Sequence, residues 1–63
     1  MTERERELAS WRAYLASRTY REAGRMLGVH ADTIRRHIAL LRTEYGVKTN
    51  AQLAVALERE RVA

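Results

Sequence analysis

The chain has 63 residues, twelve basic and eight acidic, for a formal net charge of +4, and it contains no cysteine and no proline. That length bounds it to one domain, residues 1–63, near the size below which a hydrophobic core needs staples, and the lack of cysteine excludes disulfides and thiolate metal sites. No apolar run approaches the ~20 residues of a membrane span and the charged start Thr2–Leu8 is unlike a signal peptide, so a cytoplasmic protein is expected.

Thr2 and Glu5 have the spacing of a capping box, which predicts a first helix over residues 3–16. Leu8, Trp11, Tyr14 and Leu15 recur at helical spacing as its inward stripe, with Trp11 the largest core piece, while the alternating Glu and Arg of residues 3–7 stay in solvent. After a short connection, Thr19 and Glu22 repeat the capping box and open a second helix over 19–27. Its start carries Thr19, Tyr20 and Arg21, where free amides and a partial positive charge suit a DNA phosphate.

The stretch Tyr20–Ile38 organises the rest. Ala23, Leu27, Val29, Ile34 and Ile38 are spaced so that two short helices close on each other across a turn at Gly28. Gly24 is expected at their close approach, Gly28 as a left-handed cap, and Val29 as the plug of the turn. His30 stands where Ser, Thr, Asp or Asn usually caps, so either Asp32 and Thr33 compensate or this helix end is weakly held until DNA binds. The third helix is predicted over 31–45, with Ile34, Ile38, Leu41 and Tyr45 inward and Asp32, Arg35, Arg36, Ala39 and Thr43 directed elsewhere. Leu40 does not fit the core face, and contact with a thymine methyl, a place beside a neighbouring subunit and plain exposure are its three readings, the last the commonest for such a leucine.

Gly46 ends that helix and Val47 turns back to the core. Thr49 and Gln52 form a third capping sequence before a last helix over 50–59, whose Leu53 and Leu57 face inward with Ala54 and Ala56. Val55 then points outward as a candidate dimer contact. The fold class is all-α, a four-helix helix-turn-helix domain with neither strand nor wing.

Charge sharpens the reading. Residues 1–17 and residues 44–63 each balance at three basic and three acidic, so the whole excess lies in 18–43, where Arg18, Arg21, Arg25, Arg35, Arg36 and Arg42 face only Glu22 and Asp32. A basic excess on the two-helix motif is the electrostatic footprint of a nucleic-acid face. His30 and His37 lack clustered carboxylates, so no metal is expected and both read as partly exposed helix residues. No Ser or Cys is paired with a His and an acid at a readable spacing, nor is there a glycine-rich phosphate loop, so neither enzyme activity nor a cofactor is expected.

The order of features resembles the LuxR/GerE-type helix-turn-helix domain of bacterial response regulators and quorum-sensing regulators. The likeness rests on Thr2-x-Arg4-Glu5, on Glu22-Ala23-x-x-x-Leu27-Gly28-Val29 and Thr33-Ile34-Arg35-x-His37-Ile38, and on Tyr45-Gly46-Val47 with Gln52-Leu53. It implies a third helix in the major groove of double-stranded DNA and a homodimer through the last helix at Val55, bound to an operator of two half-sites. By position it implies base contacts from Arg35, Arg36 and Ala39. Backbone contacts are implied for Thr33 and His37, beside Thr19, Tyr20 and Arg21, and a further phosphate for Lys48, Thr49 and Asn50. Departures from the family pattern are a longer first helix, His30 at the cap, Arg42 at a usually apolar site, and Asn50 where Arg is frequent.

Most members attach this domain to a receiver or ligand-binding domain, and a stand-alone bacterial or bacteriophage transcription regulator, nucleoid-associated, is expected here. Residues 27–38 also resemble MerR-type regulators and excisionases, architectural DNA binders with a β-hairpin wing, and sigma-factor region 4 has the same shape. The alternative of another class is a protein-interaction module on the same scaffold, binding RNA polymerase or another regulator.

Overall fold

In the computed structural model, which describes residues 1–62 and the side chains through Glu60, the chain is all-α. The helices are α1 (Glu3–Ser17), α2 (Tyr20–Leu27), α3 (Ala31–Tyr45) and α4 (Asn50–Val62), and the described residues contain no strand. None of the helices is long and apolar enough to cross a membrane. Each begins within a residue of its predicted start, whereas α4 runs beyond the predicted end at residue 59.

The capping residues explain the starts, with two amendments. At α1 both halves of the box are made, Glu5 N–H to Thr2 Oγ1 at 3.2 Å and Thr2 N–H to Glu5 Oε1 at 3.0 Å. Hydrogen bonding from the Thr2 backbone, and then from its side chain, holds the Glu5 carboxyl below the usual glutamate range. At α2 only the Thr19 half forms, at 3.1 Å, because Glu22 pairs forward with Arg25 at 3.0 Å instead of reaching back. At α4 Gln52 Oε1 accepts from both Lys48 and Thr49 N–H while Thr49 Oγ1 accepts from Gln52 N–H. At α3 neither expected remedy is used: the His30 ring itself is the cap, its Nδ1 accepting from Asp32 N–H at 3.0 Å. That bond requires a bare Nδ1.

Two helices stop the same way. Gly28 and Gly46 are left-handed, and the pairs Gly28–Val29 and Gly46–Val47 return N–H groups to the Arg25 and Gly24 and to the Thr43 and Arg42 carbonyls. α1 ends on Arg18, a non-glycine residue at φ 71° whose N–H reaches the Tyr14 carbonyl at 2.7 Å. Nothing in the sequence marks that turn, since glycine is the usual occupant.

The core is Trp11, Ala13, Ala23, Ile34, Ile38, Leu41 and Leu53, with α3 at its centre. Several inward assignments move. Leu27 and Val29 are about two-fifths exposed, because the turn is sealed by backbone: the Val29 carbonyl and the Ala31 nitrogen lie against Gly24, and the Val29 side chain turns out. On α1 the buried line runs through Glu7, Ser10 and Trp11, so Glu7 leaves the solvent-facing set and Leu15 is half exposed. Leu15 is left exposed because the α4 backbone packs on α3 alone among the described residues, which leaves a groove of about 670 Å³ beside Leu8, Trp11, Leu15, Ala54 and Leu57.

Across one end of that groove Arg4 ties α1 to the far end of the chain. It contacts Glu44, donates to Tyr45 Oη and to Glu60, and lies over the Tyr45 ring, while Tyr45 Oη donates to Glu60. Burial, and then the bond to Glu60, push the Tyr45 phenol above its usual range.

Candidate nucleic-acid interface

Packing Ile34, Ile38 and Leu41 inward leaves α3 with an exposed crest of Asp32, Arg36, Leu40 and Thr43, and a half-buried Ala39 beside it. Arg36 sits in the middle of this crest and makes no ion pair or hydrogen bond among the described residues. A guanidinium so placed keeps its five donors for an outside acceptor. Thr33, on the next flank, is half buried.

Arg35 is placed differently. It points along the flank, within 3.5 Å of Asp32 Oδ1 and with its guanidinium carbon 5.5 Å from the centre of the Tyr20 ring. Tyr20 also stacks on Tyr14, ring centres 4.9 Å apart. Its hydroxyl accepts from Asn50 Nδ2 at 3.1 Å, and Asn50 Oδ1 accepts in turn from Arg42. Tyr20 therefore draws together the start of α2, one flank of α3 and the start of α4. Sequence reading named Tyr20 and Asn50 singly and left Arg42 out of the site. The available signal was that Arg35 and Arg42 stand two turns apart on the same flank of one helix.

Around this junction Thr19 is half occupied as the α2 cap and Thr49 as the α4 cap, while Arg21 and Lys48 are exposed and unpaired among the described residues. Arg18 is exposed and unpaired on the same terms. Arg25 is tied to Glu22. The basic excess thus stays largely unpaired, since among the described residues only two of the six arginines between residues 18 and 43 have an acidic partner. Val55 is 53% exposed on α4, away from this junction.

His37 does not belong with the surface residues, contrary to both readings of it. It is 7% exposed, on the side of α3 that faces α1, and its Nδ1 lies 2.6 Å from Ser10 Oγ, itself 1% exposed. His37 Nε2 lies 3.8 Å from Glu3 Oε1. A phosphate cannot reach a ring so enclosed without displacing α1. The structure thereby assembles a serine, a histidine and a carboxylate that no sequence spacing announced, drawn from residues 3, 10 and 37. Ser10 is too buried to meet a substrate, and the chemistry open to the trio is to brace α1 against α3 through one short polar contact inside the core.

Comparison of this chain with protein-family models, with curated proteins and with solved structures finds no match.

Proposed function

We propose that the chain binds double-stranded DNA sequence-specifically in transcriptional regulation, as a helix-turn-helix domain of LuxR/GerE type. α3 enters the major groove and a second copy joins through α4 at Val55 on an operator of two half-sites. The observation that carries the reading is the convergence at Tyr20 of the α2 start, the α4 start and the flank of α3, with unpaired Arg21 and Lys48 near those starts and unpaired Arg36 on the crest. Cations along such a junction suit the backbone of a duplex, and a helix crest between them is then delivered to base edges. Arg36 reads bases in this arrangement, with Ala39 packed beside them, and Thr19, Thr33 and Thr49 lie along the phosphate path. Such a protein works in the cytoplasm on the nucleoid, with RNA polymerase as a further partner.

The test is a selection of bound sequences from random duplexes, followed by salt titration of affinity for selected and scrambled DNA. Binding should weaken log-linearly with salt, and Arg36→Ala should reduce the preference for the selected duplex by ~1–3 kcal/mol. A wild-type chain with no salt-dependent affinity for any duplex refutes the reading and reassigns the basic residues to an acidic protein partner.

A further inference from the structure

The cluster Tyr20, Arg35, Arg42 and Asn50 is drawn from three helices and has one internal logic. Asn50 uses its carboxamide oxygen on Arg42 and its amide hydrogen on Tyr20 Oη. Because Tyr20 Oη is an acceptor in that bond, its own hydrogen remains to be donated outward. Arg42 spends one nitrogen on Asn50, and the rest of its guanidinium stays available at a half-buried position. Arg35 lies over the same tyrosine ring, and among the described residues the only carboxylate within 4 Å of either arginine is Asp32, 3.5 Å from Arg35 and itself exposed. Arg35 over the Tyr20 ring, Arg42 joined to the Tyr20 hydroxyl through Asn50, and that hydroxyl's free hydrogen together form a seat for a tetrahedral, singly charged oxyanion.

We infer that Tyr20, Arg35 and Arg42 grip a phosphodiester of the DNA backbone, with Asn50 as the relay that orients Tyr20 and Arg42. The inference rests on the DNA-binding reading and changes what one residue does within it. Arg35 fixes the register of α3 along the duplex and leaves base reading to Arg36. The cation–π contact with Tyr20 draws the Arg35 guanidinium to the flank facing α2, with Asp32 its one tie to the crest among the described residues, and so away from Arg36 and Thr43.

The experiment measures affinity for a selected and a scrambled duplex across a salt series for the wild type and for Arg35→Ala, Arg35→Lys, Arg42→Gln, Tyr20→Phe and Arg36→Ala, each first checked for wild-type helicity. Arg35→Ala and Arg42→Gln should each weaken both duplexes by the same factor, keep the selected-to-scrambled ratio within about twofold of wild type, and flatten the salt slope by part of the ~0.9 unit that the one phosphate they share contributes. Arg35→Lys should recover the slope, since it restores the charge. Tyr20→Phe keeps the ring under Arg35 and should weaken both duplexes alike without changing the slope, because a neutral donor releases no counterion. Arg36→Ala alone should collapse the ratio. If Arg35→Ala collapses the ratio while the salt slope holds, Arg35 is a base reader and the inference fails with DNA binding intact. If Tyr20→Phe and Arg42→Gln both bind as wild type, the seat does not exist. If no duplex binds the wild type, the failure belongs to the functional reading itself.

Discussion

Replacing Gly24 by alanine sets two effects of opposite sign against each other at one atom. In an unobstructed helix the change gains about 1 kcal/mol, because glycine is the more flexible residue when unfolded. Here the new Cβ would lie 2.5 Å from the Val29 carbonyl oxygen, 3.2 Å from the Ala31 nitrogen and 3.3 Å from the His30 carbonyl carbon. All three are backbone atoms, and the turn they belong to is fastened to Gly24 itself by the Val29 N–H, 2.9 Å from the Gly24 carbonyl. No rotamer change relieves the contact, so the turn must lift. Overpacking of this kind costs ~1–3 kcal/mol and a weakened hydrogen bond ~0.5–1.5, which leaves a net loss of about 0.5–3.5 kcal/mol after the helical gain. A domain of this size holds only roughly 3–9 kcal/mol in reserve, and each kcal/mol moves its midpoint by about 4–8 °C. Thermal unfolding followed by far-ultraviolet circular dichroism measures the effect directly. Gly28→Ala is the comparison, for its Cβ would meet open space and only the left-handed φ of 68° penalises it. Gly28→Asn should accordingly recover part of that loss, whereas Gly24→Asn should be worse than Gly24→Ala. A Gly24→Ala protein melting at or above the wild-type temperature would refute the close approach of the turn to α2.

Trp11→Ala removes a side chain only 6% exposed and should cost ~3–5 kcal/mol, enough to leave much of the chain unfolded, while Arg36→Ala should melt as wild type. Ser10→Ala strands the enclosed His37 Nδ1 without its partner at a cost of about 1–3 kcal/mol, and the double change Ser10→Ala with His37→Leu should be milder than the single one in urea titration. Glu5 has a folded pKa below its unfolded value, so the contribution of its capping bonds is complete above the ordinary glutamate pKa of ~4.3 and disappears as pH falls through the lower folded value. Helicity should therefore show an acid-side loss that Glu5→Gln removes.

The parts of this molecule legible in its sequence are those governed by neighbours along the chain. Thr2, Thr19 and Thr49 announce helix starts and Gly28 and Gly46 announce stops because caps are local chemistry, complete within five residues. Ile34, Ile38 and Leu41 were equally readable, since a helix buried on one side repeats its apolar residues at a fixed period. What spacing could not supply is how one helix is rotated against the next. Leu15 and Leu27 satisfy the helical pattern and are nevertheless exposed, while Glu7, Ser10 and His37 violate it and are enclosed, because α1 turns a polar line toward α3 and α4 stands off from α1. The same limit applied to the candidate interface. Arg36 is readable as outward-facing from spacing alone, whereas the place of Arg35 on the flank depends on its contact with Tyr20, which lies on another helix.

The fastening of Arg4 to Glu44, Tyr45 and Glu60 has a kinetic consequence. Arg4 and Glu60 are separated by 56 positions, nearly the whole chain, and such a closure becomes favourable only after the intervening helices have given the ends a fixed separation. The contacts therefore form on the native side of the folding barrier, and loosening them speeds unfolding far more than it slows folding. Since α4 lays its backbone on α3 alone among the described residues, the first turn of α1 adds a latch on its departure. Arg4 thus adds, from near the opposite terminus, to what buried Leu53 and the Asn50–Tyr20 bond do in keeping Lys48, Thr49 and Asn50 in register with Tyr20.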